Sequence, residues 1–133
     1  MSWPDVYLLL PGTAREALTF YHDVFGGDVE LHTYSEFRRI DGPGDAVAHG
    51  MLTGPVTLMM ADAGPDEDAV TMSGAMLSIL GEEPDLLRGW FLALSDGGEV
   101  LDELEQRPWG DWDGQVRDRF GITWLIGFTG EPR

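Results

Sequence analysis

The chain reads as an α+β protein built from two tandem βαβββ modules that form a cupped mixed sheet, and three observations predict this. The stretch Phe20-Tyr21-His22-Asp23-Val24-Phe25-Gly26-Gly27 is echoed by Phe91-Leu92-Ala93-Leu94-Ser95-Asp96-Gly97-Gly98. Each copy follows an extended apolar run, Val6-Tyr7-Leu8-Leu9-Leu10 in the first half and Met76-Leu77-Ser78-Ile79-Leu80 in the second. The two Gly-Gly pairs are 71 residues apart, about half the chain. A strand, an amphipathic helix and a Gly-Gly turn used twice is the mark of an internal repeat. Such units bury their apolar faces by pairing.

The elements follow in order. Val6 to Leu10 is a short apolar strand closed by Pro11-Gly12. Thr13 reads as the N-cap of a helix, with Glu16 completing a capping box. Ala17, Phe20, Tyr21, Val24 and Phe25 lie on one helical face, and Gly26-Gly27 stops the helix. Asp28 to Phe37 reads as a strand and Arg38 to Asp45 as a turn or loop. Ala46 to Thr53 and Val56 to Asp62 form a hairpin around Gly54-Pro55.

A polar connection, Ala63 to Gly74, separates the halves. Ala75 to Leu80 opens the second module as a strand. Glu82-Glu83-Pro84-Asp85 then places acids and a proline at a helix start, where unpaired N–H groups favour them. Leu86, Leu87, Trp90, Phe91 and Leu94 make the apolar stripe, which Gly97-Gly98 ends. Glu99 to Leu104, Trp109 to Val116 and Ile122 to Phe128 are the remaining strands. Leu101, Leu104 and Glu105 also fit a 3/4 period, so a helical turn over Glu99 to Gln106 is the alternative there. The expected organisation is one domain over 1–133, with module one at about 5–62, a linker at 63–74 and module two at about 75–128. Strand alternation is expected to turn Leu9 and Trp124 toward the helices and Leu8 and Leu125 toward a cavity.

Composition bounds the function. The chain has 133 residues, 43% of them apolar, enough for a core without staples. Cysteine is absent, which excludes disulfides, thiol nucleophiles and thiolate metal sites. No apolar run is long enough for a membrane-spanning helix, and the N-terminus shows no basic region followed by an apolar core, so a cytoplasmic protein is expected. All eight basic residues are arginines and the net charge is −16. This charge repels phosphate backbones and anionic lipid, so neither nucleic acid nor membrane is an expected partner, whereas a cationic ligand would be attracted. A compositional bias toward solubility explains the same number more plainly. No hydrolase triad spacing, P-loop or dinucleotide fingerprint is present.

Asp118-x-Phe120-Gly121-x-x-Trp124, leading into the last strand, and Phe20-Tyr21-x-x-x-Phe25-Gly26 in the first helix resemble the vicinal oxygen chelate superfamily. That group contains glyoxalase I, extradiol dioxygenases, fosfomycin-resistance enzymes and bleomycin-resistance proteins. Trp109-Gly110-Asp111 and Ala48-His49-Gly50 look most like its PhnB-like branch. The resemblance implies the glyoxalase-like fold from Val6 to Phe128 and a homodimer, the common assembly of the superfamily. It leaves the chemistry open, because one fold hosts many activities. Gly121 suits a tight turn, and Phe120 and Trp124 suit packing behind the sheet.

Metal-dependent members present His and Glu from four strands to one divalent ion. By the resemblance those positions fall at Val6, near Met59, at Ala75 and at Leu125, and none can ligate a hard cation. A one-residue slip offers Tyr7, Leu58 or Met60, Met76, and Trp124 or Ile126, at best a phenol and soft thioethers. No metal and no cofactor are therefore expected.

His49 is a candidate for the cavity wall, as base or hydrogen-bond donor, with a purely structural histidine as the plainer reading. His22 and His32 read as surface residues, and Asp62 as a cap at the end of its strand. Met51 and Met59 would line the cavity, where thioethers adapt to variable apolar ligands, or simply fill core gaps. Trp109 and Trp112 would flank the late loop and stack on an aromatic ligand, or act as a packing staple. The expected function is metal-independent binding of a small, partly apolar or cationic molecule, for which bleomycin-resistance proteins, acidic metal-free binders of a cationic drug, offer the concrete precedent. The alternatives are a lyase, isomerase or dioxygenase relative using His49, and a subunit with a vestigial cavity.

Overall fold

The computed structural model describes residues 4–130. The chain divides into two compact units between Val70 and Thr71. In the first, β1 (Val6–Leu10), α1 (Ala14–Phe25), β2 (Asp28–Thr33), β3 (Val47–Thr53) and β4 (Leu58–Asp62) follow one another. In the second come β5 (Leu77–Gly81), α2 (Pro84–Ser95), β6 (Glu99–Gln106), β7 (Trp112–Arg117) and β8 (Thr123–Phe128). The sheets are ordered β1-β4-β3-β2 and β5-β8-β7-β6. In each, the first strand runs parallel to the fourth and every other pair is antiparallel. Both units are therefore βαβββ modules. No helix among the described residues is long and apolar enough to cross a membrane.

The two Gly-Gly pairs do the same work. Gly26 and Gly97 adopt φ of 77° and 75°, a left-handed conformation that ordinary side chains disfavour. The second glycine of each pair passes close to its hairpin partner. A Cβ on Gly27 would strike the Thr53 carbonyl, and one on Gly98 the Arg117 carbonyl. The repeat read from the sequence is thus a repeat of backbone geometry.

Each helix buries one stripe against its sheet. Ala14, Ala17, Leu18, Tyr21 and Phe25 are the buried positions of α1, and Leu87, Trp90, Phe91 and Leu94 those of α2. Leu86, expected in that stripe, is exposed. The sheet faces that meet the helices are identified by two glycines. Gly50 lies against the Leu18 side chain of α1, and Gly114 against the Phe91 ring of α2. Paired residues of neighbouring strands share a face. Gly50 pairs with Met60, which pairs with Leu8, so Leu8 and Leu10 pack under α1. They are 5% and 0% exposed. The expectation for β1 is corrected by one residue, with Leu9 and Tyr7 on the opposite face. In the second module Gly114 pairs with Ile126 and Val116 with Trp124, which puts Trp124 under α2 and Leu125 on the opposite face, as alternation predicts.

Several boundaries differ from expectation for local reasons. β2 stops at Thr33, because Phe37 N–H donates to the Thr33 carbonyl and Arg39 N–H to the Tyr34 carbonyl, turning the chain. Glu99 to Gln106 is strand throughout, its register shifting twice against β7. β7 begins at Trp112, since Gly110 N–H donates to Arg107 O and closes a turn that contains Trp109. Thr13 is the N-cap of α1 but makes no side-chain cap bond. Asp62 caps the helix instead: its Oδ1 accepts the Ala14 N–H at 2.9 Å, while Oδ2 accepts the Val47 N–H at 2.9 Å.

Candidate functional site

The face of the first sheet turned away from α1 carries a row of four register partners, one per strand. Tyr7 on β1 pairs with Met59 on β4, which pairs with Met51 on β3, which pairs with Glu30 on β2. His49 shares this face, two residues from Met51, and pairs with His32 on β2. Of the expected site residues, the structure brings His49, Met51 and Met59 together. It adds Tyr7, whose Oη lies 3.0 Å from His49 Nδ1. The two rings are 5.7 Å apart between centroids. Reading β1 from sequence hid Tyr7, because five consecutive apolar residues carry no alternation to show which of them face the helix.

The electrostatics of this face are graded. The Tyr7 phenol is held above its ordinary value, first by desolvation and second by the negative charge of Glu67. At the β2 edge His32 is clamped between two carboxylates, with Nε2 3.1 Å from Glu30 and Nδ1 3.0 Å from Glu36. Those two hydrogen bonds, Glu30's first, raise its pKa above the ordinary imidazole value. Phe37, half exposed, stacks on His32 at 5.5 Å. The middle of the face is thus apolar and soft, and its rim is acidic.

The corresponding face of the second sheet is chemically different. Its row runs Ser78, Leu125, Gln115 and Asp102. Arg107 lies beside it, paired with Asp113 at 2.8 Å, Asp102 at 2.9 Å and Glu105 at 3.3 Å. Trp109 and Trp112 belong to this module and border a pocket of about 400 Å³ together with Leu80, Glu82, Asp111 and Phe128. Trp109 is 65% exposed there. Trp112 opens β7, stacks on Phe128 at 5.8 Å and lies 5.0 Å from the Arg88 guanidinium.

The motif that closes the second module is built around one carboxylate. Asp118 Oδ1 accepts the N–H of Phe120 at 2.8 Å and of Ile122 at 3.2 Å, and Oδ2 accepts the Trp124 indole N–H at 2.9 Å. Gly121 takes a φ of 83° in that turn. Two βαβββ modules closed by this motif match the family model described as Glyoxalase/Bleomycin resistance protein/Dioxygenase superfamily, over residues 3–126. The chain belongs to that superfamily. It is similar to Protein YjdN of Escherichia coli strain K12, at 24% identity over 90% of both chains. A crystal structure of protein PA1353 from Pseudomonas aeruginosa superposes with a TM-score of 0.80 at 27% identity, covering 98% of this chain and all of the other. A Bacillus cereus protein described as a putative 3-demethylubiquinone-9 3-methyltransferase, PhnB protein, superposes with a TM-score of 0.79 at 21% identity, covering 96% of this chain and all of that one. At that identity the likeness is one of fold.

Superfamily membership raises the question of a divalent metal, which the donor chemistry of this chain's side chains bears on. Val6 lies on the α1 side of β1, and Ala75 precedes β5. Met59 and Leu125, on the faces away from the helices, offer a thioether and a hydrocarbon. Among the described residues no three His, Asp or Glu are grouped to hold a metal ion. These side chains do not fit a hard or borderline cation, which requires converging N and O donors.

Proposed function

We propose that this protein is a metal-independent binder of small, partly apolar molecules, holding them on the open face of the first module. The observation that carries the reading is the row Tyr7–Met59–Met51 with His49 beside it: two adaptable thioethers at the middle of the face next to a phenol hydrogen-bonded to a single imidazole, in place of the three or four converging N and O donors a metal site needs. The acidic rim of Glu30 and Glu36 and a net charge of −16 favour ligands with a cationic part, and sequestration of such a molecule is the concrete form of the function. Trp109, exposed beside its own pocket, is the aromatic surface offered to a ligand by the second module, with Trp112 held in packing. We further propose that the two modules act as one domain over 1–133 with a linker at 63–74, that the chain works as a homodimer, and that it resides in the cytoplasm.

Thermal-shift screening with aromatic metabolites and cationic natural products, in the presence and absence of EDTA, tests the proposal. A ligand at a hundred times its Kd adds about 2.7 kcal/mol to stability. Stabilisation that survives EDTA and disappears in Met51→Asp supports the reading, and stabilisation that requires a divalent ion rejects it. An enzyme that uses His49 as acid or base is the rival, favoured by the Tyr7–His49 contact.

A further inference from the structure

We infer that Tyr7 donates its phenolic proton to His49 Nδ1 and thereby keeps the imidazole proton on Nε2, so that the open face of the first module recognises a hydrogen-bond acceptor, such as a carbonyl oxygen, on an otherwise apolar ligand. The inference rests on the proposed binding function and deepens it by naming the ligand chemistry.

The 3.0 Å contact can be made in two ways. Either the phenol donates to a bare Nδ1, or a protonated Nδ1 donates to the phenolic oxygen and leaves Nε2 bare. A phenol is a better donor than acceptor, because its oxygen lone pair is delocalised into the ring. An unprotonated imidazole nitrogen is a strong neutral acceptor. Partial desolvation and the Glu67 carboxylate both favour the protonated phenol, so its proton remains available to give.

Among the described residues bordering His49 on this face, none competes for the ligand's acceptor, the Thr53 hydroxyl lying two residues beyond Met51 on β3. Met51 and Met59 carry no donor, and Glu30 only accepts when ionised. His32 has both ring nitrogens engaged by Glu30 and Glu36. His49 Nε2–H is then the donor set among the thioethers of Met51 and Met59. The same tautomer has no lone pair on Nε2 with which to take a substrate proton, so it serves binding and not general-base chemistry.

Two measurements test this. Two-bond ¹H–¹⁵N spectra of the ligand-free protein at a pH of about 8.5, some two units above an ordinary imidazole pKa, report which nitrogen of each histidine is bare. His49→Phe identifies the His49 signals. Protonated Nε2 with bare Nδ1, and a shift of the Nδ1 resonance in Tyr7→Phe, are expected. A protonated Nδ1 overturns the inference whether or not any ligand binds. The second measurement compares acetophenone with α-methylstyrene, which has the same shape with CH₂ in place of the carbonyl oxygen. Acetophenone should bind about five- to tenfold more tightly, the worth of one hydrogen bond, and His49→Phe should erase the preference. Equal binding of both probes to the wild type overturns the donor assignment while leaving the binding function standing. EDTA-sensitive binding rejects the binding function itself.

Discussion

The Asp118 carboxylate ties the Trp124 indole N–H to the turn that precedes its own strand, at 2.9 Å, while the indole is 1% exposed beneath α2. One buried acid thereby satisfies two backbone donors and one ring donor, and the largest core side chain of the second module can be buried without an orphaned N–H.

Trp124→Ala is accordingly expected to lose about 3–5 kcal/mol in urea unfolding, and Asp118→Asn about 1–3 kcal/mol, because its amide sets a donor against the indole donor. Trp112→Ala should cost about 1–2 kcal/mol, the loss of its stacking on Phe128 and its Arg88 contact. Equal losses for Trp124→Ala and Trp112→Ala would contradict this ranking.

Asp62 holds the first module together in a comparable way. Its two oxygens reach the first residue of α1 and the first residue of β3, 48 and 15 positions away in sequence. Asp62→Ala should cost about 1–3 kcal/mol for each buried N–H left unpaired, and Asp62→Asn less, since it retains one acceptor. Thermal denaturation of the two variants measures the difference.

His32 provides a pH signature. Its pKa is raised by hydrogen bonds to Glu30 and Glu36, so the favourable interaction is fully present below the unfolded imidazole value near 6.5 and is lost as pH rises through the folded value. NMR titration should give His32 a midpoint above that of a model imidazole. Glu30→Gln should move it down, and added salt should shrink the difference, because the side chain is solvent-accessible.

Elemental analysis after dialysis against a chelator should find no stoichiometric Zn, Ni, Mn or Fe. The positions expected to supply ligands hold Val6, Met59, Ala75 and Leu125. Stoichiometric metal would transfer the first claim on function to the enzyme reading.

Light scattering at micromolar concentration should give twice the 14.7 kDa chain mass. A sheet edge left open in a monomer is a liability that dimerisation commonly covers. A mass near that of one chain would contradict the homodimer.

The parts of this fold that could be read from sequence are those with periodic or geometric signals. The helical stripes ending at Phe25 and Leu94, the Gly-Gly turns, and the Trp124 side of β8 belong here. The parity of β1 differs by one position from the sequence expectation because Val6 to Leu10 is apolar on both faces, so no period-2 contrast exists to set it. That one-residue difference turns Tyr7 to the face of His49, its hydrogen-bond partner. The cap of α1 could not be seen either. Thr13 and Glu16 have the local pattern of a capping box, but the acceptor comes from Asp62, whose approach depends on the parallel pairing of β1 with β4. Met51 and Met59 lie on the face turned away from α1, a parity legible because each alternates with buried neighbours.

The matched turns at Gly26-Gly27 and Gly97-Gly98 have a consequence for how the two halves have aged. What both copies retain is a hinge that admits no side chain. What they have let diverge is the surface chemistry, Tyr7, Met59, Met51 and Glu30 in one and Ser78, Leu125, Gln115 and Asp102 in the other. The backbone geometry is thus common to the two modules while the side chains on these faces are not. Either face can be rewritten, by natural drift or at the bench, while the glycine hinges keep the scaffold in register.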